Sequence, residues 1–221
     1  MNKREEEKKR RQEEKLAKEL ARLDAMSVYE KEYASLGAVC GIDEAGRGPL
    51  AGPVVAGAVI LAKGDPILYV NDSKKLSEKK REALYEEIMG RARAVGVGIV
   101  GPERIDEVNI LNATYEAMRM AVAQLGVQPD VLLNDAVTIP GLSVRQVPII
   151  KGDAKSVSIA AASIIAKVTR DRLMREYAQI FPAYDFASNK GYGTKAHIEA
   201  LRELGPTPIH RRSFIGHFVS L

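Results

Sequence analysis

Residues 38–61 read AVCGIDEAGRGPLAGPVVAGAVIL, and this stretch decides the fold. Two apolar, β-rich runs, Ala38 to Asp43 and Val54 to Leu61, lie on either side of a glycine- and proline-rich turn, Gly46-Arg47-Gly48-Pro49-Leu50-Ala51-Gly52-Pro53. Short runs of this kind bounded by turn residues are strands, and the short connection opens a meander. Outward from it, Ser77 to Arg93 reads as a helix and Val95 to Val100 as a third strand. Asn109 to Leu125 carries Ile110, Leu111, Thr114, Met118, Val122 and Leu125 at helical spacing. Strands at Val131 to Asn134 and Val147 to Ile150 follow, then a long helix from Ser156 to Gln179 and a last one from Thr194 to Leu204, ahead of a Pro-punctuated tail. An initial meander followed by crossover units is an α/β pattern.

The acids fall at strand ends, where α/β sites gather. Asp43 and Glu44 follow one apolar strand, Asp135 follows another, and Asp153 sits between a strand and a helix start. Singly, each also suits turn or helix-cap chemistry. If their strands are neighbours, the carboxylates converge and raise one another's pKa unless cations intervene. Oxygen ligands without a nearby Cys or His pair favour Mg²⁺ or Mn²⁺ over Zn²⁺.

The glycines after the acidic pair let backbone approach a ligand, and Arg47 offers a cationic fork suited to phosphate. The turn is neither a phosphate-cradling Walker loop nor a dinucleotide fingerprint, because Pro49 and the spacing fail both. A Gly-x-Gly-x-x-Gly pattern at Gly96, Gly98 and Gly101 falls inside a strand and reads as close packing. The Ala160 to Ala166 stretch likewise reads as close helix-on-sheet contact. Cys40 reads as strand packing, and His197, His210 and His217 as packing or surface groups.

The chain has 221 residues, 46% hydrophobic and 28% charged, which excludes fibrous and mostly disordered classes. No apolar run approaches a membrane span and the start is charged, so a cytoplasmic protein with no membrane partner is expected. Net charge is +4, distributed unevenly: residues 1–24 hold 9 basic and 7 acidic side chains, residues 25–150 hold 13 and 16, and residues 151–221 hold 11 and 6. The basic C-terminal third suits a nucleic-acid footprint or a solvated helix face. Residues 1–34 form a charged helical arm, frayed at its start. Pairs such as Glu5 with Lys9 and Glu14 with Lys18 support it, and Leu16, Leu20 and Leu23 form a docking stripe. Residues 35–221 form the main domain.

The string from Gly41 to Pro53 resembles the opening signature of bacterial ribonuclease HII, the type 2 ribonuclease H. Asn71-Asp72-Ser73-Lys74-Lys75-Leu76-Ser77, Lys151-Gly152-Asp153-Ala154-Lys155-Ser156, Ala160 to Arg172, Asn189-Lys190-Gly191-Tyr192-Gly193-Thr194 and His210-Arg211-Arg212-Ser213-Phe214 resemble its later blocks in order. The sister ribonuclease HIII is disfavoured because its corresponding turn lacks the arginine present here as Arg47. The resemblance implies a ribonuclease H-like fold, a mixed five-stranded sheet flanked by helices, whose first three strands form an antiparallel meander and whose first and fourth lie side by side. Asp43, Glu44, Asp135 and Asp153 match the family's acidic quartet and would hold two Mg²⁺ or Mn²⁺ ions. Asn134 departs from the apolar or small residue often found before the third acid.

The implied activity is hydrolysis of the RNA strand of RNA/DNA duplexes and nicking 5′ to single ribonucleotides in duplex DNA. Two metals about 4 Å apart would activate water and leave 3′-hydroxyl and 5′-phosphate ends. A ribonucleotide differs from its neighbours by one hydroxyl, so the protein must contact the 2′-OH. Gly46, Arg47, Gly48 and Tyr192 match the family residues that do so. Ser73, Lys74 and Lys155 are candidate phosphate contacts, and a monomer is expected. A non-catalytic duplex-binding protein is the competing reading, which four intact acids oppose. Deleting residues 1–34 is expected to weaken binding at low salt and spare the chemistry.

Overall fold

The computed structural model describes residues 3–219. Met1 and Asn2, part of the expected frayed start, and Ser220 and Leu221 lie outside the described residues. In chain order the elements are α1 (Lys3–Met26), α2 (Val28–Tyr33), β1 (Val39–Ala45), β2 (Val54–Ile60), α3 (Glu78–Arg91), β3 (Ala94–Val100), α4 (Pro102–Ala123), β4 (Val131–Asp135), β5 (Arg145–Ile149), α5 (Val157–Ile180), α6 (Phe186–Asn189), α7 (Lys195–Leu204) and α8 (Arg212–Ile215). The five-stranded sheet has the order β3-β2-β1-β4-β5. β1, β2 and β3 are antiparallel, while β4 runs parallel to β1 and β5 parallel to β4. This is the ribonuclease H-like, mixed-sheet arrangement expected from the resemblance.

Helices cover both faces, so every residue of β2 is buried. Even-numbered residues Cys40, Ile42, Val54, Ala56, Ala58 and Leu132 join the core against α4. Odd-numbered Val59, Val131 and Leu133 pack on the α5 side with Ile159 and Ile164. Both helices press close because glycines and alanines meet there. A Cβ on Gly57 would lie 2.5 Å from the Ala162 carbonyl oxygen of α5, and one on Gly98 would lie 1.8 Å from that of Ala117 in α4. Gly96, Gly98 and the Ala160–Ala166 stretch are therefore packing devices, as expected, whereas Gly101 lies just outside β3 as the N-cap of α4 with open space around it.

α4 departs from the expected Asn109–Leu125. It begins at Pro102 and kinks at Asn109 (φ 67°). The Asn109 side chain accepts from the Leu111 and Asn112 amides at 3.0 and 3.1 Å, so the expected start is a cap between two helical pieces. Its buried residues are Ile105, Ala113, Thr114, Ala117, Met118 and Ala121, with Ala117 and Ala121 set against the glycines of β3, and Leu111 is exposed.

The arm also differs. Leu23 and Met26 are buried, but Leu16 and Leu20 are exposed. The contact is made by Glu19, Arg22, Leu23 and Met26, and Leu16 lies a turn beyond its edge. Glu19 accepts from the Tyr69 amide at 2.7 Å, and Arg22 donates to the Val70 carbonyl at 2.8 Å. A docking face built partly on a charged pair carries no apolar periodicity. Among the described residues no helix is long and apolar enough to cross a membrane.

Candidate active site

Parallel pairing of β1 and β4 sets Ile42 opposite Asn134. The next residues, Asp43 and Asp135, therefore leave the same ends of adjacent strands on the α5 face. Both acids lie within their strands, since β1 runs to Ala45 and β4 ends on Asp135, whereas the sequence reading had the strands stop earlier. Glu44 follows Asp43 in β1, and Asp153 sits in the 3-10 turn Gly152–Ala154 that leads into α5. Asp135 Oδ1 accepts from the Gly152 amide at 2.7 Å, tying β4 to that turn.

Asp43 and Asp153 are buried. Burial, then the charge of Glu44, then Asp135 and Asp153, hold the Asp43 pKa well above the usual carboxylate range. Burial raises Glu44 as well, against the opposing pull of Arg47, whose Nη1 lies 3.4 Å from Glu44 Oε1. Asp153 is raised by burial and by Asp72 and Asp135. The four acids thus share one electrostatic cluster. Among the described residues no three His, Cys, Asp or Glu side chains stand so that they could together hold a metal ion as they lie. Lys74 lies against the cluster: burial opposes its charge, but Asp43, Asp72, Asp153 and Asp135 outweigh that and raise its pKa.

The other expected contacts divide. Ser73 is buried, its amide donating to Ser163 Oγ at 3.2 Å, and the next residue, Lys74, lies in the field of the acids. Lys155 is exposed, in a groove shared with Arg22, Tyr29 and Asn71.

Gly46 has φ +96°, and a Cβ there would lie 2.1 Å from Arg170 Nε. The turn is held from beneath by two fully buried arginines. Arg211 donates to the carbonyls of Gly46, Arg47 and Gly52 at 2.5, 3.0 and 3.0 Å. Arg170 donates to those of Pro53, Ala51 and Lys190 at 2.9, 3.1 and 2.9 Å. Through Lys190 the clamp reaches the Tyr192 loop, where the Leu50 amide also donates to the Gly191 carbonyl at 2.8 Å. Tyr192 is half-exposed, its ring 3.8 Å from where a Gly48 Cβ would stand. Burial opposes the charge of both arginines, yet guanidinium groups so bonded remain cationic at neutral pH.

Tyr192 is fixed further by a buried histidine pair. His197 Nδ1 lies 2.8 Å from the Tyr192 carbonyl, which can only accept, so Nδ1 carries the proton. His210 Nδ1 accepts from the Thr207 amide at 2.9 Å, leaving its Nε2 to donate to His197 Nε2 at 3.0 Å. Burial lowers both pKa values, and His210, also facing His197, falls to about 4. These histidines are packing groups, as read from the sequence, and they position the tyrosine loop.

Asn134 also has an explanation. Fully buried on the α4 face, its amide donates to the Val137 carbonyl at 3.1 Å and to Gln146 Oε1 at 2.8 Å, anchoring the loop after Asp135.

A cavity of about 410 Å³ lies between the arm and the body, lined by Leu23, Ser27, Gly37, Ile60 and Val70, away from the acids. Beside the acids, Arg47, Gly48 and Tyr192 are exposed, so an extended substrate can reach the turn.

The family model described as Ribonuclease HII matches residues 40–217. The chain belongs to the ribonuclease HII family. It is 66% identical over 207 residues to a ribonuclease HII of Lachnoclostridium phytofermentans, covering 94% of this chain and 82% of that relative. Among solved structures it is similar to the ribonuclease H2 of Pyrococcus horikoshii OT3 (TM-score 0.64, 31% identity, 79% of this chain and 92% of that one). It is also similar to RNase HII in a PCNA:RNase HII complex from Archaeoglobus fulgidus (TM-score 0.67, 31% identity, 80% and 94%). The chain is thus a hydrolase, a ribonuclease H of a family that cleaves the RNA strand of RNA/DNA hybrids.

The sequence pattern alone assigns no role to Asp72, Arg170 or Arg211. Asp72 and both arginines stood inside the family-like blocks, which was the available signal. Nothing in a one-dimensional pattern distinguishes a buried arginine from the surface arginine that is the default.

Proposed function

We propose that Asp43, Glu44, Asp135 and Asp153 hold two divalent metal ions, and that the chain nicks 5′ to single ribonucleotides in duplex DNA, leaving 3′-hydroxyl and 5′-phosphate ends. The carrying observation is the convergence of the acids: Asp43 and Asp135 leave adjacent parallel strands, and burial together with mutual repulsion raises Asp43 and Asp153. Such a cluster ionises fully only beside cations. Its donors are carboxylate oxygens, which fit Mg²⁺ or Mn²⁺, and the Lys74 ammonium already lies in the same field. When bound, the ions supply Lewis acidity and a water of lowered pKa.

The protein's own groups select the substrate. Gly46 and Gly48 let backbone approach the sugar, Arg47 offers its guanidinium beside the acids, and the exposed Tyr192 ring packs on the sugar at the ribo-to-deoxy junction. The Arg170 and Arg211 bonds keep these groups in one geometry before substrate arrives, which suits discrimination by a single hydroxyl. Ser73, Lys74 and Lys155 serve as phosphate contacts, with the chain acting as a monomer in the cytoplasm.

A labelled duplex with one ribonucleotide, incubated with Mg²⁺ with and without chelator, tests this. Expected is one nick 5′ to the ribonucleotide, ending in 3′-hydroxyl, absent with chelator or in Asp43→Asn. Cleavage that persists in chelator, or a cyclic phosphate end, overturns it.

A further inference from the structure

The family match begins at residue 40, yet one side chain before it reaches the support of the site. Glu30, on α2, contacts the N-terminus of α5 across 126 residues of sequence. Its Oε1 accepts from Ser156 Oγ and from the Ser158 amide, the latter at 2.9 Å. Its Oε2 is buried and has no hydrogen-bond partner, so the carboxylate is committed to this contact. Tyr29 and Tyr33 of the same helix pack against Val131, Leu133, Ile149 and Ile159, which orients α2.

What Glu30 grips leads directly to the acids. Ser156 is fully buried, its Oγ accepts from the Ile159 amide at 3.1 Å as the cap of α5, and its own amide donates to the Gly152 carbonyl at 2.8 Å. The Gly152 amide in turn donates to Asp135 Oδ1, and Asp153 lies on the turn between. A chain of hydrogen bonds therefore runs from Glu30 through Ser156 and Gly152 to Asp135. A carboxylate at a helix N-terminus is favourable to both partners.

We propose that Glu30 is a positioning residue: by capping α5 at Ser156 and Ser158 it fixes the 152–156 loop, and through it the placement of Asp135 and Asp153. This rests on the reading of those acids as metal ligands. Outer groups that orient ligands typically carry about 10- to 100-fold in metal affinity or activity. It also revises the expectation for the arm, because removing residues 1–34 removes Glu30 and should not spare the chemistry.

Both bonds converge on one oxygen, so Glu30→Gln can keep them with its carbonyl, while Glu30→Asp, a methylene shorter, and Glu30→Ala cannot. The test uses the full chain with these three variants. Each is measured for single-turnover nicking, Mg²⁺ titration, KM for duplex and, without metal, hydrogen exchange at the Gly152 and Ser158 amides. Glu30→Ala and Glu30→Asp should lose about tenfold in rate, need more Mg²⁺, keep KM within about twofold and exchange faster at both amides, and Glu30→Gln should stay near wild type. A folded Glu30→Ala with wild-type rate and exchange overturns the proposal, as do equal defects in all three variants. Should Glu30→Ala not fold, Glu30→Asp decides by the same measurements. A wild-type chain that does not nick would refute the metal reading instead, and exchange in the metal-free protein would still decide for or against Glu30.

Discussion

Replacing Arg211 with Met tests whether the Gly-Arg-Gly turn is held in place by its buried clamp. Met follows the arginine stem as far as the Nε position but has no guanidinium and no donor, so the carbonyls of Gly46, Arg47 and Gly52 lose their bonds. Hydrogen bonds to a charged group contribute about 1.5–3 kcal/mol each. Removing a charge buried beside Arg170 offsets part of that loss, leaving a net destabilisation of roughly 3 kcal/mol. In a domain of this size each kcal/mol moves the melting temperature by about 2–4 °C, so a fall of roughly 6–12 °C is expected. Below the melt, nicking at a single ribonucleotide should fall more than cutting of a continuous hybrid, because only the former depends on reading one hydroxyl. Arg211→Lys should be intermediate, since one ammonium cannot reproduce a three-way fork. Calorimetry and initial rates on both substrates measure this. A variant that melts within about 2 °C of wild type and nicks normally would refute the reasoning.

Asp43→Asn should abolish Mg²⁺-dependent cleavage and stabilise the metal-free protein by about 1 kcal/mol, by removing a buried charge that faces Glu44. The folded-state pKa of Asp43 is raised, so the folded form binds its proton more tightly. The advantage of the variant should be largest near pH 8 and vanish as acid protonates the wild-type carboxyl, which urea titrations across pH would follow. His210 runs the other way: its folded pKa is lowered to about 4 from 6.5, so its contribution is present above pH 6.5 and is lost as pH falls toward 4. His210→Gln should flatten that acid limb of the stability profile, and an unchanged slope would place the acid sensitivity elsewhere. Gly46→Ala should be strongly destabilising, because the new methyl meets Arg170 as well as an unfavourable φ. Gly64→Ala, with φ +76° and open space around it, should cost only about 1 kcal/mol of backbone strain. Equal melting temperatures for the two would deny the clamp its role.

Much of this was legible in order along the chain. Strands β1 to β5 and helices α3, α5 and α7 came from apolar periodicity and turn residues, which report local preference directly. The helix over Pro102–Ala123 is legible only from Asn109 on, because the chain kinks there and part of its buried face is alanines whose small size matters only against Gly96 and Gly98. The arm's docking face differs for a similar reason: Leu16 and Leu20 look like a seam with Leu23, but both are exposed, and a charged pair at Glu19 and Arg22 makes the contact beside Leu23 and Met26.

The residue types at positions 43, 44, 135 and 153 determined what chemistry was available: oxygen donors, no thiolate, and an arginine turn beside them. Which of those groups share a field was a tertiary matter, settled by the parallel register that pairs Ile42 with Asn134 and by the turn that brings Asp153 beneath α5. The same holds for Arg170, Arg211, His197 and Glu30, whose types are ordinary on a surface. Burial changes what they do, because a charge or ring removed from water must bond to whatever backbone the fold places within reach, and no order along the chain encodes that partner.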